Sequence, residues 1–445
     1  MSSNPDAIKR IYNAFEPYPA TSEVYVHLEA VRGGWDVKRA TGWRIERSDK
    51  PTCQLFSGHR GVGKSTELQR LKQWLEDECG FFVVYFAADK VDIEPEDASY
   101  ADVILACTRN LVEAVRLETK ENPILTWLSS RWGEFKEFAK SDVEFEKLTF
   151  EQKLLEFGKL SANLRAVPSV RAEVRKEVDA NTVSLVQAVN EFIELATQQL
   201  QKKGKRGIVI MADNLDRISY IRRADDARSN HEQIYLDRSE QMKGLNCHVI
   251  YTAPIALVCS RGVEVEARYG DRDILPMVVM QNRDGSLNAE GMAAMRKIIR
   301  LRVELIEPEV AKAIETQLFE SPELLDRVCE MSGGHVRVLI QLVHKALNWT
   351  DVLPIQKRAV GRALGAARQI YRDSINYEDW EQLARVYRTK MLPRDNRSQQ
   401  LLADRCVLQY FEEDEDGEPN EWFDVHPLIL KIDQFQAALS AGETE

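Results

Sequence analysis

No run of the 445 residues is apolar for long enough to cross a bilayer, and the opening Met1-Ser2-Ser3-Asn4-Pro5-Asp6 lacks the basic-then-apolar order of a secretory leader. A cytoplasmic protein with no membrane partner is expected. Cysteine is scarce: seven residues, at 53, 79, 107, 247, 259, 329 and 406, show no paired spacing suited to zinc or a redox couple. They are expected to be reduced and mostly buried. An excess of positive charge is also missing, since the formal net charge is −11, which argues against adhesion to nucleic acid over the whole surface. The densest basic run, Lys202-Lys203-Gly204-Lys205-Arg206, stands where a helix should end and a strand begin, a place where cations complement a helix C-terminus. Internal repeats and low-complexity tracts are absent. With 44% hydrophobic residues, the chain can build two or three domains with their own cores.

What is present is a phosphate-binding pattern. Gly58-His59-Arg60-Gly61-Val62-Gly63-Lys64-Ser65-Thr66 follows the apolar run Cys53 to Phe56 and precedes a helical run, Glu67 to Glu78. Glycines at these positions permit a backbone path in which successive N–H groups turn toward phosphate oxygens, and the start of the following helix adds orphan amides. The backbone of Gly58, Gly61, Val62, Gly63 and Thr66 is expected to hold a nucleoside triphosphate, with Lys64 reaching the β- and γ-phosphates and Ser65 ligating magnesium. Buried parallel strands are then expected in the runs Gly80 to Asp89, Gly207 to Ala212, Cys247 to Pro254 and Ile274 to Met280. Between the first two of these lies a long helical stretch interrupted at Gly133, Gly158 and Pro168. Within it Leu185, Val189, Phe192, Ala196 and Leu200 share one face.

The run ending at Ala212 is followed by Asp213-Asn214-Leu215-Asp216. A carboxylate at the carboxyl end of a buried strand, downstream of a phosphate loop, is placed to hold the magnesium ion, so Asp213 is the second site residue. Asp216 or Asn214 is a candidate for orienting the attacking water. Thr252 stands at the tip of the next strand, where P-loop ATPases with an extra central strand carry a polar residue that senses the γ-phosphate. Ser332-Gly333-Gly334-His335-Val336-Arg337 lies between two helical stretches, with Ser332 or the glycines available as a cap. Near the end, helix Arg397 to Asp404, strand Cys406 to Phe411, an acidic tip from Glu412 to Glu418 and strand Trp422 to Val425 trace the outline of a winged helix.

From about Gly58 to Leu428 the chain resembles an AAA+ or STAND-type ATPase, similar in pattern to the origin-recognition initiators and their signalling relatives. The resemblance implies an α/β fold: a P-loop three-layer sandwich with a parallel sheet, then a helical lid and a C-terminal winged helix. The corresponding domains are 1–50 as an N-terminal segment, 51–286 as the ATPase core with a helical insertion, 287–370 as the lid and 371–445 as the winged helix. It further implies that Arg337, in Gly334-His335-Val336-Arg337, reports on the γ-phosphate from the lid. Val425-His426-Pro427-Leu428 resembles the short histidine motif that touches the β-phosphate of ADP, with proline in place of the usual acidic residue. Asp213-Asn214 replaces the Asp-Glu pair of many motors, which fits slow, switch-like hydrolysis catalysed with Lys64, Asp213 and Asp216. Arg261, Arg268 and Arg272 lie where an arginine finger would be presented to a neighbouring subunit. ATP, ADP and Mg2+ are the implied ligands, and nucleotide-dependent self-association with an unidentified protein partner the implied behaviour. A DNA-binding initiator is the alternative, disfavoured by the acidic wing tip.

Overall fold

The computed structural model describes residues 5–16, 22–115, 123–130, 148–149, 152–153, 155–156, 158–159, 165–222, 228–414 and 416–441. Two compact units emerge from its contacts: a sheet unit, Val37–Ser57 with Glu67–Ile274, and a helix–hairpin unit, Met1–Asp36 with Gly58–Thr66 and Leu275–Glu445.

The sheet unit is built on five parallel strands, β1 (Cys53–Ser57), β2 (Phe82–Ala87), β3 (Ile208–Asp213), β4 (His248–Thr252) and β5 (Asp273–Ile274), in the order β2-β3-β4-β1-β5. The fold class is therefore α/β with a parallel sheet. Strand β4 is inserted between β1 and β3, with Gln54 opposite Ile250 and Met211 opposite Ile250 on its other side. Every residue of β3 and β4 is buried. That is why both read in the sequence as continuous apolar runs rather than alternating ones. Helix α1 (Lys64–Asp77) follows β1 and the glycine loop in the chain, and helix α2 (Tyr100–Ala114) packs on β2 and β3. Its start is fixed by Ser99, whose amide donates to Asp102 Oδ2 at 2.7 Å.

Helix α3 (Pro168–Lys202) runs for 35 residues, opened by a proline at a position where the missing N–H costs nothing. Leu185, Val189, Phe192 and Ala196 are buried along it, as their spacing predicts, whereas Leu200 is only half-buried. Of the interruptions expected in this stretch, Gly133 lies outside the described residues. The basic run after α3 does end a helix: Gly204 takes φ +80° and the Lys205 amide returns to the Leu200 carbonyl at 3.0 Å. Arg206 lies over the Phe81 ring at 4.9 Å.

The helix–hairpin unit contains α4 (Ala289–Glu304), α5 (Pro322–Met331), α6 (Val336–Leu347), α7 (Lys357–Ser374), α8 (Asp379–Thr389), α9 (Asn396–Ala403), the antiparallel pair β6 (Val407–Glu413) and β7 (Pro419–Val425), and α10 (Asp433–Ala441). Helix α9 followed by the hairpin is the order expected of a winged helix. On α6, Val338, Leu339, Leu342, Val343 and Ala346 are buried together. Side chains of this kind contribute about 1.5–3 kcal/mol each when fully buried.

One expected strand is largely absent. Only Asp273–Ile274 joins the sheet; Leu275 to Met280 is buried but irregular. Pro276 has no N–H, and the next three amides go to three different places: Met277 to the Gln409 carbonyl (3.3 Å), Val278 to Gly334 (3.4 Å) and Val279 to Val31 (2.9 Å). The apolar composition was satisfied by burial, while the hydrogen bonds that define a strand were distributed elsewhere.

Candidate functional site

Gly58, Gly61 and Gly63 take φ of +142°, +90° and +118°, a region closed to most other residues. Gly61 is also held by space, since a Cβ there would meet His335 Cε1 at 2.7 Å and Arg337 Cβ at 2.8 Å. The loop has a consistent polarity. Lys64 Nζ donates to the carbonyls of Gly58 (2.7 Å) and His59 (3.0 Å), and His335 Nε2–H donates to Arg60 (2.7 Å). The Arg337 amide donates to Gly61 (3.2 Å) and Arg32 donates from Nη2 to Val62 (2.7 Å). Five consecutive carbonyls, Gly58 to Val62, are thus accepted by protein donors. Carbonyls engaged in this way are turned from any anion held by the intervening amides.

His335 does two jobs with one ring. Its Nδ1 accepts the Val338 amide at 3.2 Å, capping α6, while Nε2 carries the proton given to Arg60. The cap of α6 is therefore His335 rather than Ser332 or a glycine; Ser332 bonds back to the Cys329 carbonyl instead. Burial first, then Arg405 and His59, hold the His335 imidazole well below its ordinary range, so it stays neutral and keeps this tautomer. Arg337 opens α6 and lays its aliphatic stem against Gly61.

In the sheet unit, the end of β3 forms a braced carboxylate turn. Asp213 is 1% exposed; its Oδ2 accepts the Tyr85 hydroxyl and its Oδ1 the Asn214 amide, both at 2.7 Å. Asn214 is left-handed at φ +65°, and its side chain donates to Asp89 at 2.7 Å. Thr252, fully buried, accepts the Leu215 amide at 2.8 Å and donates to the Ala212 carbonyl at 3.4 Å. Its hydroxyl thus holds the turn that presents Asp213. Asp216 is buried just beyond, and after burial its charge helps push up the Tyr235 phenol.

Ser65 and Thr66 are half-buried at the start of α1. His426 is wholly buried, accepts the Leu428 amide at 3.2 Å and lies against the Tyr371 ring at 4.9 Å between centroids. Each finger candidate has a local partner in the sheet unit: Arg261 with Glu232 at 2.7 Å, Arg268 with the Leu236 carbonyl at 3.0 Å, Arg272 with Glu266 at 2.7 Å. Arg261 is 46% exposed, the most of the three.

The structure groups the loop residues with Arg337 in one unit and Asp213, Asp216 and Thr252 in the other. His59, Arg32 and Tyr85 are not singled out by the sequence. His59 occupies a loop position where any side chain is compatible with phosphate binding, Arg32 precedes the loop by many residues, and Tyr85 reads as an ordinary strand aromatic.

No family model matches the chain, and no curated protein matches it. Among solved structures it is similar to Cdc6p from Pyrobaculum aerophilum, at 10% identity and a TM-score of 0.39, covering 97% of this chain and 98% of that one. The ORC2 protein of Aeropyrum pernix, determined as ADPNP-ADP complexes, has 11% identity and a TM-score of 0.37 over 98% and 99% of the two chains. A Walker-type ATPase of Pyrococcus abyssi has 12% identity and a TM-score of 0.40 over 94% and 99%.

Proposed function

We propose that the chain is a slowly hydrolysing ATPase that works as a nucleotide-dependent conformational or assembly switch. What supports ATP binding above all is the loop's polarity, with five consecutive carbonyls engaged by protein donors. In this reading the amides of Gly58, Gly61, Val62, Gly63 and Thr66 receive the phosphates, and Lys64 leaves the Gly58 and His59 carbonyls to reach them. Ser65 and Asp213 offer a hydroxyl and a carboxylate, hard oxygen donors that suit Mg2+, which would supply charge neutralisation on the phosphates. Asp216 orients water, Thr252 keeps the Asp213 turn in place and serves as the strand-tip sensor, and Arg337 answers to the γ-phosphate from α6. Loss of that phosphate removes contacts that exist in one state only, which is what a switch requires.

The test is ATP·Mg2+ titration of the wild-type chain and a Lys64→Ala variant, followed by sedimentation and phosphate release. Binding and a change in sedimentation confined to the wild type support the switch. A sedimentation profile indifferent to ATP overturns it. The initiator alternative predicts salt-sensitive duplex binding; Glu413, Asp414, Asp416 and Glu418 are all exposed on the hairpin tip and would repel phosphates there.

A further inference from the structure

We propose that His59 is a positioning residue that ties the phosphate loop to the hairpin, so that β6 responds to whether the loop holds a nucleotide. This rests on the reading of the loop as an ATP site. The contact is a single hydrogen bond: the Gln409 amide donates to His59 Nε2 at 3.1 Å, between a ring that is 1% exposed and a strand residue that is equally buried.

The bond is available because of the hairpin's register. Gln409 stands opposite Phe423, yet neither amide serves that pair: Phe423 N–H donates to the Lys390 carbonyl at 3.0 Å, and the Gln409 carbonyl accepts Met277 N–H at 3.3 Å. Gln409 and Phe423 are thus a non-hydrogen-bonded pair of the antiparallel ladder, and the Gln409 N–H points off the edge of β6. His59 supplies the acceptor that this buried amide needs. For Nε2 to accept, the proton must sit on Nδ1, and burial, then Lys64, Arg405 and His426, lower the ring to about 3, which keeps it neutral.

At the other end of the same residue, the His59 carbonyl is held by Lys64 Nζ at 3.0 Å and by the Val62 amide at 3.2 Å. A lysine drawn to phosphates releases one of these two. The residue whose backbone is freed is the one whose side chain holds β6. Occupancy of the loop is transmitted to the hairpin through one residue, without any group of the hairpin touching the nucleotide.

The experiment is hydrogen–deuterium exchange on the full chain, with and without ATP·Mg2+, read at residues 407–413. In the wild type, nucleotide should speed exchange at Gln409 about tenfold, the effect of losing one hydrogen bond. His59→Leu should show the faster exchange with or without nucleotide, while still binding ATP. His59→Gln, whose amide oxygen falls near the Nε2 position, should restore the nucleotide-dependent change. Exchange at 357–374 in α7, a helix of the same unit as His59 and Gln409, reports that each variant is folded; should His59→Leu fail it, Gln409→Pro deletes the donor instead and should give the same uncoupled behaviour. A wild type that binds ATP with no change at 407–413, or a His59→Leu variant that keeps the change, overturns the coupling alone. A wild type that binds no ATP overturns the ATP reading, and the coupling with it.

Discussion

At the scale of single residues, the positions that the sequence marks are those whose chemistry has few alternatives. Lys64 and the glycines around it could be named because only a glycine tolerates the φ of +90° and +118° found at 61 and 63. Its ammonium braces the loop through two carbonyls, and in the proposed function it is also the phosphate ligand, so Lys64→Ala would remove both. ATP affinity should fall by about two orders of magnitude in calorimetry, the size expected for a lost charge-assisted contact. Thr252 shows where residue-level reading stops. Its place at a strand tip was legible, but its bond to the Leu215 amide depends on a left-handed Asn214 that no composition reveals. Thr252→Val keeps the shape and strands that amide, so stability in urea should drop by about 1–3 kcal/mol, whereas Thr252→Ser should lose much less. Equal losses for the two would mean that the methyl group, not the hydroxyl, is what the site needs.

Among elements, β2, β3 and β4 were readable because each is an apolar run bounded by turn residues. The failed extension of β5 has the same composition but gives its amides to Gln409, Gly334 and Val31, partners distant in the chain. Short apolar runs declare burial, not hydrogen-bonding partners. The turn between α5 and α6 was located by its glycines, yet its tightness was not visible. Gly334 has φ +74°, and a Cβ there would lie 1.8 Å from the Val278 carbonyl oxygen. Gly334→Ala should therefore destabilise by more than about 3 kcal/mol, since backbone must move on both sides. Gly361 and Gly365, on the exposed side of α7, meet nothing within 4 Å. Alanine at either should raise stability by about 0.5–1 kcal/mol. Thermal melts of the three variants test the contrast, and a neutral Gly334→Ala would show that the Val278 contact relaxes freely.

Across the whole chain, the order of the fold was legible but the membership of its units was not: Gly58–Thr66 groups with residues beyond 275, through His59, His335 and Arg337, contacts with no periodic signature. That grouping has a consequence for acid stability. The helix–hairpin unit buries His59, His335 and His426, each accepting a backbone amide. Burial lowers His59 and His426 to about 3 and His335 well below its ordinary 6.5; His344 shifts the same way. Since the unfolded rings take up protons first, stability is whole above pH 6.5 and declines as pH falls from there toward 3, by about 1.4 kcal/mol per pH unit for each buried ring. In the same unit Asp424 is raised, by burial against Lys390, and opposes this only nearer the carboxylate range. The sheet unit is balanced differently. His248, lowered to about 4 by burial and Arg206, loses stability in acid, but Asp273 is pushed up to about 7 because burial outweighs Arg44 and Thr41. A carboxyl with a raised folded pKa is stabilised by acidification from 7 toward 3.8, so the two terms oppose each other. Between pH 7 and 5, hydrogen exchange should therefore report opening of α6 and β6 well before β3 and β4, with two or more protons taken up. His426→Asn, which keeps an acceptor near Nδ1 but cannot titrate, should reduce that uptake by about one proton. Simultaneous loss of protection in both units, with no difference in that variant, would show that buried imidazoles do not govern the acid response.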